Sequence, residues 1–214
     1  MELLKIALTG GIACGKSQLA DFLATLGAEI IRLDDVSKQV TTPNSEGLKA
    51  LVNEFGEGLL ERDGCLNREA LRVLLLESET NKTLIEGILH PKILEKMREL
   101  QGKSKKEVVI VEIPLLFEKK LEYLFDKAII VTCNNENQLN RLKYRANVDE
   151  KLAKKMISVQ MSQKDRLKAG RKMQSEIIEN NGSIADLRQQ AEKVYTTLGR
   201  PQKSQCDLYL SRGH

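Results

Sequence analysis

Eight residues near the start of the chain, Gly10-Gly11-Ile12-Ala13-Cys14-Gly15-Lys16-Ser17, follow the pattern G-x-x-x-x-G-K-S/T. Their setting restricts the fold more than the pattern does. Leu3 to Leu8 is a short apolar, β-favouring run, and Leu19, Ala20, Phe22, Leu23 and Leu26 share one face of a following helix. A strand, a glycine loop and a helix in that order hold several anionic oxygens without water. Glycines let backbone N–H groups converge on the anion, and the helix presents its positive end to the same charge. The expected binding surface for a nucleotide triphosphate is therefore Gly10, Gly11, Ile12, Ala13, Cys14, Gly15, Lys16, Ser17 and Gln18. Lys16 spans the β- and γ-phosphates in that reading, and Ser17 offers its hydroxyl to Mg²⁺, which takes few protein ligands.

The remaining pattern predicts an α/β chain with a parallel sheet and helical crossovers. Gly27 stops the first helix, and a second strand over Ala28 to Leu33 delivers Asp34 and Asp35 at its carboxyl edge. From Val36 to Gln101 the pattern is helical and interrupted, with turns at Thr42-Pro43-Asn44 and Asp63-Gly64, and with His90-Pro91 opening another helix. Val108 to Val111, continuing through Glu112 to Leu116, and Ala128 to Thr132 suit strands buried on both faces. A long basic helical region runs from Gln138 to Lys172. Ile177-Ile178 marks a weak last strand, and Ile184, Leu187, Ala191, Val194 and Leu198 align on a closing helix. The 214 residues thus divide into one domain, 1–198, with a loosely held tail over 199–214. Its core comprises 1–35, 106–135 and 174–198, its helical insertion 36–101 and its lid 136–172.

Composition excludes several classes. Hydrophobic residues at 41% and charged ones at 30% describe a globular chain rather than a disordered one. A net charge of +4 with 4% aromatics and no Trp leaves little material for nucleic-acid stacking, so no nucleic-acid partner is expected. No apolar run approaches the ~20 residues of a membrane helix, and MELLKIALTGG has no basic leader, so a cytoplasmic protein is expected. Cys14, Cys65, Cys133 and Cys206 form no CxxC and are expected to be free thiols.

A phosphate cradle alone does not separate a kinase from a switch or a motor. Phosphoryl transfer to a hydroxyl needs a carboxylate that orients the nucleophile and accepts its proton, a role open to the Asp34-Asp35 pair. Helix capping would explain the same pair equally well. Glu112 either reaches the metal through water or faces solvent at a strand end. Arg141 and Arg145 are i,i+4 neighbours, so both guanidinium groups can descend on the nucleotide together, with Arg145 neutralising the transferring phosphoryl.

The ordered set of motifs resembles the dephospho-coenzyme A kinase family over residues 3 to 198. Leu8-Thr9-Gly10-Gly11-Ile12 with Gly15-Lys16-Ser17, Leu26-Gly27 leading to Asp34, and Gln39-Val40 carry the first part of the likeness. Phe55-Gly56, Asp63-Gly64 with Leu66, Arg68 and Leu71, His90-Pro91, and Pro114-Leu115-Leu116 with Glu118 carry the second. Gln138, Arg141, Arg145, Gln160 and Asn181-Gly182 complete it. The resemblance implies a P-loop kinase fold and Mg²⁺-dependent transfer of the ATP γ-phosphoryl to the ribose 3′-hydroxyl of dephospho-coenzyme A. It assigns acceptor activation to Asp34 rather than Asp35, and places Arg68, His90 and Leu115 with the acceptor. In that reading Arg68 caps or pairs with a carboxylate, or meets acceptor phosphate, and His90 is a turn residue or a donor. The chain departs from the family at Arg32, where an aspartate is usual, at Ala13 and Cys14 in place of Gly and Ser, at Gln18, and at Gln174-Ser175, with a lid slightly longer near Gly170. A nucleotide or sugar kinase and a nucleotide-dependent switch ATPase are the alternatives.

Overall fold

The computed structural model describes residues 4–198; the expected tail over 199–214, with Cys206, lies outside them. The described residues form two compact units: 4–30 together with 106–198, and 31–105.

In the first unit, β1 (Leu4–Gly10) and α1 (Lys16–Thr25) flank the glycine loop; β2 (Glu29–Arg32) follows, and the boundary between the units falls within it. Later come β3 (Val108–Glu112), β4 (Lys127–Thr132), α6 (Asn135–Ala146), α7 (Glu150–Ser158), α8 (Gln163–Gly170), β5 (Ser175–Glu179) and α9 (Ile184–Leu198). The strand order is β2-β3-β1-β4-β5, and β3, β1, β4 and β5 pair in parallel. Every residue of β3 is buried, as are Ile6, Ala7 and Leu8 of β1. Their unbroken apolar runs belong to strands covered on both faces rather than to an alternating, half-wet sheet. Leu19, Leu23, Leu187, Ala191 and Val194 close one face of the sheet against Ile6, Leu8, Ile110 and Ile129. Ile184, expected on the buried stripe of α9, is 64% exposed because it sits at the first turn, beyond the sheet's cover. The chain leaves β1 toward β2 on one side and later fills β4 and β5 on the other. The end of β1 is therefore a topological switch point, where α/β sheets open a crevice.

The basic region after β4 is three helices rather than one. Asn147 adopts a left-handed conformation (φ 49°) that ends α6. Asp149 and Ser162 then accept N–H bonds from Leu152 and Asp165 to start α7 and α8.

The second unit holds α2 (Leu33–Gln39), α3 (Glu46–Phe55), α4 (Arg68–Glu77) and α5 (Glu79–Lys103). Its core joins Leu48, Leu51, Leu59, Leu66, Ile85 and Leu89. Pro91 does not open a new helix: α5 runs straight through it. An interior proline removes one hydrogen bond and costs roughly 3 kcal/mol. Burial of Ile85 and Leu89 before it and Met97 after it offsets that cost, at about 1.5–3 kcal/mol for each large side chain.

Candidate active site

The glycine loop leaves the sheet where β1 and β4 are paired through Gly10 and Val131. Gly10 has φ 148°, and a Cβ there would run into the Val131 carbonyl. The loop ends at Gly15, the residue before α1, with φ 97° and ψ 20°. The Asn180 side chain occupies the space a Gly15 Cβ would need and donates to the Cys14 carbonyl at 2.9 Å. No acidic residue stands in the first turn of α1 to quench the positive end of that helix. Lys16 lies across the loop, its Nζ donating to the carbonyls of Gly10 at 3.0 Å and Gly11 at 2.9 Å. Loop, helix end and ammonium thus form one anion-binding cradle.

Cys14 and Cys133 are joined in a disulfide with Cα atoms 5.3 Å apart, which corrects the expectation of free thiols for this pair. They are 119 positions apart in sequence. The parallel pairing of β1 with β4 nonetheless brings the loop after one beside the end of the other. Cys65 is a free, half-buried thiol.

Ser17, in the first turn of α1, donates its hydroxyl to Glu112 Oε1 at 2.7 Å. Glu112 ends β3 opposite Leu8 and is 7% exposed, so it turns toward the loop instead of facing solvent. Two hard oxygen groups therefore meet beneath the cradle. Among the described residues no group of three or more His, Cys, Asp or Glu side chains could hold a metal.

The two arginines of α6 are not equivalent. Arg141 is half-buried and donates to the Asn180 carbonyl at 3.0 Å, while Arg145, one turn on, is exposed. One side chain is thus already tied to the loop's neighbour and the other is free of burial. Sequence reasoning missed Arg166, which is 3% exposed on α8 and pairs with Glu118 at 3.4 Å. A charged residue on a basic, amphipathic helix gives no sign of which face it buries.

Asp34 and Asp35 stand in the first turn of α2, and neither caps it. The residue before the helix is Arg32, and it makes no capping side-chain bond. Asp35 pairs with Lys38 at 2.7 Å, and that hydrogen bond and charge hold its carboxyl below the usual carboxylate range. Asp34 is exposed. Arg68 opens α4, but the cap there is Asn67, whose side chain accepts from the Ala70 N–H at 2.8 Å. His90 is an exposed residue inside α5 rather than in a turn. These four residues belong to the second unit, while Leu115, 40% exposed after β3, belongs to the first. Among the described residues no helix is long and apolar enough to cross a membrane.

The family model described as dephospho-CoA kinase matches residues 4–186. A dephospho-CoA kinase of Fusobacterium nucleatum is 32% identical over 198 residues, covering 92% of this chain and all of the relative. The solved structure of dephospho-CoA kinase from Campylobacter jejuni superposes with a TM-score of 0.61 at 29% identity, covering 91% of this chain and 96% of that one. Shikimate kinase from Acinetobacter baumannii superposes at 0.50 with 16% identity over 92% and 93% of the two chains, a likeness of fold alone. The glycine loop at the switch point, the buried carboxylate beside Ser17 and a sequence match spanning nearly the whole catalytic fold agree: this chain belongs to the dephospho-CoA kinase family.

Proposed function

We propose that the protein transfers the γ-phosphoryl group of ATP to the ribose 3′-hydroxyl of dephospho-coenzyme A, giving coenzyme A and ADP. The observation that carries this reading is the Ser17–Glu112 pair under an intact phosphate cradle in a chain of this family. The donor set fits Mg²⁺, since both groups are hard oxygens and a cation with so few protein ligands takes the rest from water and phosphate. Ser17 would hold the ion directly and Glu112 through water, and the ion would supply charge neutralisation on the phosphates.

The chain's own residues do the remainder. Backbone N–H groups of the loop and the end of α1 bind the phosphates. Lys16 turns from the carbonyls of Gly10 and Gly11 to the outer phosphates, an exchange of neutral acceptors for charged ones. Asp34 accepts the proton of the attacking hydroxyl and fixes its direction; its neighbour Asp35 is engaged by Lys38, which favours Asp34 for that work. Arg145 meets the charge that spreads over the transferring phosphoryl oxygens, and Arg141 lines the nucleotide side through its link to Asn180. Arg68, His90 and Leu115 bind the acceptor. Closure of the lid, 136–172, excludes water that would otherwise take the phosphoryl group.

A coupled ADP-release assay across dephospho-coenzyme A, nucleoside monophosphates and gluconate tests the acceptor. Turnover is expected with the first, and silence there defeats the proposal. Asp34→Asn is expected to keep ATP affinity and lose about 10²–10⁴-fold in kcat; wild-type turnover would remove Asp34 from its role.

A further inference from the structure

Ile12, at the crest of the phosphate loop, has both of its main-chain groups taken by lid side chains. Its N–H donates to Gln160 Oε1 at 2.8 Å, and its carbonyl accepts from Gln138 Nε2 at 2.9 Å. The two glutamines lie 148 and 126 positions from Ile12. Gln138 is in the first turns of α6 and 8% exposed; Gln160 follows the end of α7.

Both side chains come from anchored backbone. Asn134 caps α6 by accepting from the Asn137 N–H, and its own N–H donates to Asn181 Oδ1 at 2.7 Å. The N–H of Met161, beside Gln160, donates to Glu118 Oε1 at 3.3 Å. A Cβ on Gly11 would lie 2.8 Å from Gln138 Nε2, so the second glycine of the motif is the one that admits this side chain.

The residue type suits the place. A carboxylate next to a triphosphate would repel it, and an ammonium would compete for it, whereas a neutral amide grips the peptide without altering the charge of the cradle.

We propose that Gln138 and Gln160 are positioning residues that hold the Ile12 peptide from the lid side and so couple lid placement to the shape of the nucleotide cradle. In this assignment the Ile12 N–H serves Gln160, and the phosphates are left to N–H groups further along the loop. The proposal rests on the kinase reading for its biological use but not for its test, which needs only nucleotide.

An amide carries both a donor and an acceptor, and the two glutamines use opposite ends. Gln160→Glu keeps an acceptor for the Ile12 N–H. Gln138→Glu loses the donor and sets a carboxylate against a carbonyl. Both add the same charge beside the loop, so charge cancels in the comparison.

The assay is fluorescence titration of each variant with a fluorescent ADP analogue, without acceptor, alongside thermal unfolding of the nucleotide-free protein. Gln138→Glu is expected to bind the analogue about tenfold more weakly than Gln160→Glu, the scale of one lost hydrogen bond with its partly buried partner left unpaired. At the second position, Gln160→Met, whose thioether is only a weak acceptor, is expected to bind more weakly than Gln160→Glu in spite of the latter's added negative charge. This pair carries the test should Gln138→Glu fail to fold. Equal affinities for the two glutamate variants, or Gln160→Met binding as tightly as Gln160→Glu, would overturn the proposal. A shift that followed Tm alone would do the same. Should the order hold while dephospho-coenzyme A proves inert as acceptor, the coupling stands and only the acceptor assignment falls.

Discussion

Replacement of Gly15 by alanine probes how the phosphate loop is supported, because two separate costs meet at that atom. The backbone there is left-handed, at φ 97°, which an L-residue adopts at a cost of roughly 1–2 kcal/mol. The new Cβ also enters the space of the Asn180 side chain, whose amide holds the buried Cys14 carbonyl at 2.9 Å. Forcing that amide away leaves the carbonyl unsatisfied, worth about 1–3 kcal/mol. Gly15→Ala should therefore lose about 2–5 kcal/mol of stability as the sum of the two. Asn180→Ala alone removes the same hydrogen bond without strain and should lose about 1–3 kcal/mol. In the double variant the bond can be lost only once, and the methyl group has room. The total should then fall short of the summed single losses by a coupling of about 1–3 kcal/mol. Urea unfolding of the four proteins, with matched slopes, measures the cycle. Additivity within about 0.5 kcal/mol would show that Asn180 is not what excludes a side chain at Gly15, and the reasoning would fail.

Three further expectations follow from local geometry. Ala13 also has a positive φ, 58°, so Ala13→Gly should relieve the strain and stabilise the protein by about 0.5–1 kcal/mol net of chain entropy; a loss of stability in urea unfolding would contradict this. Alkylation of the denatured, unreduced chain should label two of the four cysteines, sparing Cys14 and Cys133, and labelling of all four would refute the disulfide. The carboxyl of Asp186 is held below the usual range by the Ser183 hydroxyl first and the Ser183 N–H second, so its contribution to stability is full above the unfolded pKa of about 4 and is lost as pH falls through the lower folded value. The stability difference between the native protein and Asp186→Asn should accordingly be larger at pH 6 than at pH 3, and an equal difference would refute the pairing.

Some of this molecule is written locally and some is not. The glycine loop, the helix behind it and the buried strands were legible because each depends on residues contiguous in sequence. Glycines at the loop ends, an unbroken apolar run in Val108–Val111 and the spaced apolar face from Leu19 to Leu26 admit few other structures. Pro91 marks where a local rule gives way: a proline that should start a helix is carried inside one by the packing of Ile85, Leu89 and Met97 on either side. The breaks between α6, α7 and α8 hung on single residues, Asn147 and the caps at Asp149 and Ser162, within a stretch that reads as one helical region.

The sequence by itself determined that a phosphate cradle would sit at the end of the first strand, since that needs only the order strand, glycine loop, helix. Tertiary structure decided what surrounds it. Parallel register sets Glu112 beside Ser17 and Cys14 beside Cys133, and the course of α6 and α7 brings Gln138 and Gln160 to the two sides of Ile12. Such contacts join residues about a hundred or more positions apart, and which side chain points where is fixed by the pairing of strands and the seating of helices, neither of which any short stretch of sequence records.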